Sequence, residues 1–536
     1  MDQQGPLVVG VDVGTGSARA GVFDGRGRLL GRSAHPILMH RPLPDHAEHS
    51  SDDIWRAAGR AVRDALAASG AEPGVVRGIS FDATCSLVVL DREGRPVSVS
   101  STTEDDGWDT IVWLDHRAVA EAEECTASGH RVLDCVGGVM SPEMETPKLM
   151  WLKRHMPGSW SRAGLLLDLA DFLTWRATGG STARSTCTVT CKWTYLAHER
   201  PGWQRDFFAA MGLEDLLERG ALPEAASPIG ADLGPLGPDA AAELGLTAAC
   251  RVGVGLIDAH AGVLGVLGRL TAGGDPADLD RQLGLIAGTS TCHMALSPEP
   301  RAVPGVWGPY LGAVLPGLWL NEGGQSASGA LLDHVLRSHS ASGGEEPGPA
   351  MHGRVVARIG ELRAAEGPAF AAGLHVLPDF HGNRSPLADP HATGVVSGLT
   401  LDASFDSLCR LYYRTAVAVA LGTRHILDAF NARGYRIDTL HLTGGHAKNP
   451  LLVEIYADAT GCRLVLSEAE DAVLLGTAMA AAAAAGLHAD LPTAAAAMAP
   501  GSRERAPNRE AVARFDRDYR AFLLMHEHRR ALDAIG

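Results

Sequence analysis

The sequence predicts an α/β protein of two related domains with a ligand cleft between them. Three observations carry this. The chain has 536 residues, beyond the length at which one core keeps growing, so two domains and an interdomain ligand site are expected. It opens on short apolar strands separated by glycine turns and followed by helical periodicity. Past the midpoint the strand, Gly-Thr turn, strand pattern returns as Leu283 to Ala287, Gly288-Thr289-Ser290-Thr291 and Cys292 to Leu296.

In chain order, Leu7 to Val13, Ala18 to Phe23 and Arg28 to Ile37 read as an antiparallel meander. Its turns are Gly14-Thr15-Gly16-Ser17 and Asp24-Gly25-Arg26-Gly27. Ser51 to Ala68 has helical spacing behind a Ser/Asp cap. The strand Val76 to Phe81 leads to Asp82. Gly268 to Asp280 is rich in Gly, Pro and Asp and suits a domain boundary. The expected domains are therefore 1–268 and 269–508. Ser340 to Ala350 and Met498 to Asn508 read as loops. The longest apolar run, Ala472 to Leu487, is mostly alanine and interrupted by Gly476; it is too short and too weakly apolar to span about 30 Å of hydrocarbon and reads as a packed helix. Residues 509–536 carry a helix, Arg509 to Leu532, with charges all round, expected at the surface.

A composition of 46% hydrophobic and 21% charged residues is that of a soluble globular protein. Lys and Arg number 47 against 63 Asp and Glu, a net charge of −16, which argues against nucleic acid or an anionic membrane as partner. Any phosphate is bound locally. Nine scattered cysteines do not make a secreted disulfide scaffold, and the Met-Asp-Gln-Gln-Gly-Pro start has no export signal, so a cytoplasmic location is expected. Cys187 and Cys191 are the one close pair. With no second pair or His-x-x-x-His nearby they read as buried or strand thiols, not a zinc site.

Laying one Gly-Thr turn on the other pairs Gly14 with Gly288, Thr15 with Thr289, Gly16 with Ser290 and Ser17 with Thr291. Asp12 then falls opposite Ile286, so only the first copy has a carboxylate to orient a metal. Small residues, backbone N–H groups and hydroxyls in such turns suit phosphate oxygens. Asp12 reads either as a structural strand-end carboxylate or as a holder of hydrated magnesium. The segment Val252-Gly-Val-Gly-Leu-Ile-Asp-Ala-His-Ala-Gly-Val-Leu-Gly265 is a strand, Asp258, then a helix with glycines on closely spaced turns. Asp258 reads as a catalytic base or as a helix cap, and His260 is the other conceivable base, although two residues into a helix it is expected to pack. In Leu442-Thr-Gly-Gly-His-Ala-Lys-Asn-Pro450, Gly444 and Gly445 let a flat heterocycle lie against backbone, while Asn449 either reaches adenine or caps the helix.

Val9-Gly-Val-Asp-Val-Gly-Thr-Gly-Ser-Ala-Arg19, Gly255-Leu-Ile-Asp-Ala-His-Ala-Gly262, Ala287-Gly-Thr-Ser290 and Thr443-Gly-Gly-His-Ala-Lys-Asn449 resemble, in order and spacing, the motifs of the FGGY carbohydrate kinases. The resemblance covers nearly the whole chain. It implies two ribonuclease-H-like domains of the actin and hexokinase type closing over ATP and a sugar. Lys148-Leu-Met-Trp-Leu152 resembles a further signature, departing from it at Glu145. Glycerol kinases of the family carry Arg-Glu where this chain has Ala83-Thr84, which disfavours glycerol. Asp82-Ala-Thr-Cys-Ser-Leu-Val88 is instead similar to the Thr-Cys-Ser-Leu-Val string of the D-ribulokinase subgroup.

The resemblance implies a transfer of the ATP γ-phosphoryl group to D-ribulose, with Asp258 accepting the hydroxyl proton and Asp12 holding Mg2+ through water. Thr15, Gly16, Ser17 and Arg19 would face the phosphates from the first domain, and Gly288, Thr289 and Gly329 from the second. Gly444, Gly445 and Asn449 would seat adenosine. Thr84, Cys85 and Ser86 would contact sugar, joined by Asp115 and Glu143, with Asp115 and Arg117 readable equally as a structural ion pair. A homodimer is the default for such enzymes. Competing readings are another sugar or polyol specificity, an actin-like nucleotide-binding regulator, and a silent homologue that only binds sugar.

Overall fold

The computed structural model describes residues 5–271 and 275–535. The N-terminal tetrapeptide and part of the expected boundary loop therefore lie outside the described residues. The opening meander is β1 (Leu7–Val13), β2 (Ser17–Asp24) and β3 (Leu29–Pro36), antiparallel throughout. Helix α1 (Ser51–Ser69) follows; the Ser50 hydroxyl accepts the Asp53 N–H and Gly70 closes it in the left-handed conformation. Strand β4 (Val76–Ala83) lies parallel to β1 with Asp12 opposite Asp82. Further on come the short helix α2 (Thr186–Lys192) and strands β5 (Asp232–Pro235), β6 (Arg251–Gly253) and β7 (Leu256–Ile257). The sheet order is β3-β2-β1-β4-β6-β5, with β7 also on β4. A small sheet of Glu48–His49, Thr110–Ile111, Leu87–Leu90 and Leu165–Asp168 stands beside it.

Helix α3 (Asp258–Leu267) leads towards the second domain, whose strands β8 (Gln282–Ala287), β9 (Thr291–Ser297), β10 (Trp307–Leu311) and β11 (Trp319–Gln325) form another antiparallel group. After α4 (Gly329–Ser338) and the long α5 (Phe405–Asn431) come β12 (Thr439–Thr443), α6 (Pro450–Thr460), β13 (Arg463–Ser467), α7 (Ala472–Ala484), β14 (Ser502–Arg505) and α8 (Arg509–Asp533). The order here is β10-β11-β9-β8-β12-β13-β14. Three antiparallel strands followed by two parallel ones thus occur twice, β3-β2-β1-β4-β6 and β11-β9-β8-β12-β13. The duplication seen in the two turns extends to the whole sheet, and Asp12/Asp82 of the first copy corresponds to Ile286/Thr443 of the second.

Helices α3 and α7 cross between the sheets. A Cβ on Gly476 would lie 2.0 Å from the Ala261 carbonyl, and one on Gly265 would lie 2.2 Å from that of Ala472, so only glycine permits the approach. α7 also lies on the first sheet, where a Cβ on Gly10 would meet the Leu474 carbonyl, while Gly262 of α3 packs on Ile286 of the second. In sequence α7 belongs to 269–508, but in space it is shared by both domains. Two expectations need correcting. Met498 to Asn508 is not all loop, because β14 pairs with β13 as an edge strand. Nor does α8 lie wholly on the surface: Ala511, Phe515, Tyr519 and Phe522 enter the second-domain core while the charges face outward. Among the described residues no helix is long and apolar enough to cross a membrane.

Candidate active site

Both Gly-Thr turns and Asp258 open onto one cavity of about 1410 Å³ between the domains. From the first domain Thr15, Arg19, Thr84, Cys85, Glu143 and Asp258 reach its wall, and from the second Gly288, Thr289, Gly444 and Gly445. Asp258 stands where β7 ends and α3 begins. Its Oδ1 accepts the Ala259 N–H at 2.7 Å, and the carboxylate stays open to the cavity. It does not cap the helix, since the N-cap position is Ile257. Burial raises its pKa, and the Ala259 N–H, His260 and Arg19 oppose the rise.

Asp12 is wholly buried and ion-paired with Arg19, which also bonds Asp471 at 3.3 Å, the residue that caps α7. The Arg19 guanidinium does not meet Asp12 in hydrogen-bonding geometry, so both Asp12 oxygens lack a hydrogen-bond partner, as does Oδ1 of Asp82. Burial pushes Asp12 upward against the pull of Arg19, and burial together with neighbouring Asp12 also pushes Asp82 well up. Asp82, whose other oxygen accepts the Thr477 hydroxyl, was not singled out as a metal residue in the sequence. Neither Asp12 nor Asp82 lines the cavity, although Arg19 does; hard carboxylate oxygens behind a phosphate-sized turn suit Mg2+ held through water. Among the described residues no group of three or more His, Cys, Asp or Glu is placed to hold a metal, and Mg2+ needs no such cage because it keeps waters and substrate phosphates as ligands.

The second turn is braced from behind. Gly288 N–H donates to the Ser290 carbonyl, and Gly329 N–H donates to Gly288 O at 3.0 Å. A Cβ on Gly329 would stand 2.5 Å from that oxygen, so Gly329 seats the start of α4 against the turn and is off the cavity wall. Gly444 has φ +90°, and a Cβ there would lie 2.4 Å from the Ala287 carbonyl. Gly445 beside it leaves its backbone open to the cavity.

Several expected contacts fall behind the wall. Asp115 accepts from Ala47 N–H, Arg117 N–H and the Arg117 guanidinium, which also binds Glu48, all fully buried. Its oxygens are engaged, so it is the structural ion pair and not a sugar contact. The Ser86 hydroxyl is 3.2 Å from both Trp113 N and the Thr84 hydroxyl, away from the cavity. Ser17 begins β2, Gly16 stands just before it, and neither lines the cavity. Asn449 caps α6 through the Leu451 N–H at 3.0 Å instead of lining the cavity. Thr15 accepts from the Trp113 indole at 2.9 Å and so fixes that ring on the sugar side.

The structure adds residues that sequence reasoning missed. Lys192, buried at the end of α2, lies 4.1 Å from the Trp307 ring centre, and Glu322 faces the same space from β11. Arg384 binds Glu143 across the cleft at 2.9 and 3.1 Å and lies over Trp307. A signal for Glu322 was available: a lone carboxylate within a strand, directly before Gly323-Gly324. Lys192 and Arg384 had none. His260 has no face on the cavity; it packs, with Cys187 on one side and Glu322 on the other.

The family model "FGGY family of carbohydrate kinases, N-terminal domain" matches residues 7–265, and its C-terminal counterpart matches 283–485. An FGGY carbohydrate kinase domain-containing protein of Danio rerio is 45% identical over 97% of both chains. A D-ribulokinase of Saccharomyces cerevisiae is 36% identical over 90% of this chain and 72% of its own. A Brucella ovis xylulose kinase crystal structure superposes with a TM-score of 0.80 at 22% identity, covering 98% of this chain and all of the other, a likeness of fold. The chain belongs to the FGGY family of carbohydrate kinases and has their actin- and hexokinase-like two-domain fold.

Proposed function

We propose that this FGGY carbohydrate kinase phosphorylates a ketopentose, D-ribulose, with Mg-ATP as donor. The observation that carries the reading is the open carboxylate of Asp258, which shares one cavity with Thr84 and Cys85 on one side and the Gly288 and Gly444 backbone on the other. The 36% identical yeast relative named as a D-ribulokinase supports the choice of sugar. Glu322, Lys192 and Glu143 supply charged hydrogen-bonding groups around the space where Thr84 and Cys85 leave room for a pentose.

Asp258 orients the reacting hydroxyl and takes its proton. In a loose phosphoryl-transfer transition state that proton leaves late, so position matters more than basicity. Thr15 and Arg19 face the phosphates from the first domain, and Gly288 and Thr289 from the second. Gly444 and Gly445 lie against adenosine. Asp12, with Asp82 behind it, would hold Mg2+, which neutralises charge developing on the phosphates when bound. Domain closure excludes water, so the phosphoryl group goes to sugar.

Coupled ADP release across ketopentoses, polyols and glycerol tests the proposal. D-ribulose should give the highest kcat/KM and glycerol none. A preference for xylulose or ribitol would replace the sugar, and ATP hydrolysis indifferent to every sugar would favour the regulator reading.

A further inference from the structure

Three buried side chains, of which the proposed chemistry uses only Glu322, form a line from the first domain to the cavity. His260 lies on α3, two residues after Asp258, and is fully buried. Its Nδ1 is 3.0 Å from the Cys187 sulfur on α2, and its Nε2 is 3.2 Å from Oε2 of Glu322 on β11. The Ile257 N–H also points at the Cys187 sulfur, at 3.4 Å. Of the three, only Glu322 reaches the cavity.

We propose that His260 is a positioning residue that acts through Glu322: braced by Cys187, it holds the Glu322 carboxylate at the sugar end of the cleft and locks that strand of the second domain to the helix carrying Asp258. The proposal rests on the sugar reading given above.

The Glu322 carboxylate only accepts, so Nε2 donates to it; at Nδ1 either the ring donates to a thiolate or the Cys187 S–H donates to the ring. The surrounding charges favour the first. His260 is faced by Cys187 and Cys191 from α2, by Glu322 from β11 and by Asp258 on its own helix. Glu322 is faced further by Lys192, by Arg384, by Cys292 of β9 and by Tyr310 of β10. Burial alone would lower His260, but Cys187 and Glu322 raise it to about 10. Burial alone would raise Cys187, yet its Cys191 and His260 neighbours bring it below an ordinary thiol. Burial would raise Glu322, and Lys192, His260 and Arg384 instead hold it at about 2. A neutral imidazole would donate to Glu322 and accept the Cys187 S–H, so in either arrangement Nε2 carries the proton that holds Glu322.

The test compares wild type, His260→Gln and Cys187→Ser. His260→Gln should raise the D-ribulose KM about 10-fold, the scale of losing a charge-assisted hydrogen bond, and leave the ATP KM within about twofold. It should also move the acid limb of kcat/KM for sugar to higher pH, because Glu322 loses a cation. Cys187→Ser should leave the acid limb in place and bring the alkaline limb to lower pH, because His260 keeps one anionic partner instead of two and loses its proton sooner. Equal rises in both KM values with unchanged pH limbs would mean packing only and overturn the proposal. If His260→Gln does not fold, the near-isosteric Cys187→Ser decides by the same alkaline limb. Imidazole 15N shifts read the line without any sugar: a proton on His260 Nε2 at pH 7 is expected, and an Nε2 without a proton overturns it. A wild-type enzyme inert on every sugar would sink the D-ribulose reading, and the 15N spectrum would still decide the state of His260.

Discussion

At the scale of single residues, chemistry and backbone geometry make separable demands. Asp258→Asn keeps shape and removes the proton acceptor, so turnover with D-ribulose should fall about 10²-fold or more while the circular dichroism spectrum and Tm stay unchanged. Unaltered kcat would remove Asp258 from its role. Because burial raises its pKa, the base ionises later than an exposed aspartate. In wild type kcat should therefore decline, as pH is lowered, from above the ordinary carboxylate range, and a pH profile of kcat checks the sign. Gly444 answers to backbone instead. With φ +90° and the Ala287 carbonyl 2.4 Å from any Cβ, Gly444→Ala should cost about 1–3 kcal/mol in stability and weaken nucleotide binding, read by urea titration and by calorimetry with ATP.

At the scale of elements, α3 and α7 decide how the domains meet. Gly→Ala inside a helix ordinarily stabilises by up to about 1 kcal/mol. Here the sign reverses, because the new methyl on Gly476 would stand 2.0 Å from the Ala261 carbonyl. Gly476→Ala should destabilise by about 1–3 kcal/mol through forced separation of the two helices. A raised Tm would contradict the crossing. Sequence periodicity read α7 as packed and apolar, and so it is. What it packs on is a tertiary fact, since a helix buried on every side carries no stripe pointing to its partner. For α8 the apolar set Phe515, Tyr519, Phe522 was present at helical spacing, but the charges between those residues obscured it. Strand β14, Ser502-Arg-Glu-Arg505, has little strand propensity of its own and exists because β13 offers an edge.

At the scale of the whole molecule, the cleft is spanned by the pair Glu143 and Arg384, both on the cavity wall. Both side chains are nearly buried and bound twice. Breaking a buried pair from either side strands the remaining charge, whereas removing both members does not. Glu143→Gln and Arg384→Met should each raise the sugar KM and widen the molecule in solution scattering, and the double variant should be less impaired than their sum by about 0.5–3 kcal/mol. Strict additivity would show that the two do not act together.

The opening antiparallel meander, the two Gly-Thr turns, Asp12 in the first copy opposite Ile286 in the second, and the placement of Asp258 after a strand were all legible in the sequence. Each is set by short-range rules: alternation, turn chemistry and the steric freedom of glycine. Whether Asp115 meets a sugar or an arginine, whether Asn449 meets adenine or a helix end, and that Asp82, Lys192, Glu322 and Arg384 gather around Asp258 were decided only by tertiary structure. Those choices depend on which polar group finds a partner once water is excluded. Partners separated by 241 residues, as Glu143 and Arg384 are, or by 395, as Asp82 and Thr477 are, leave no periodic trace along the chain.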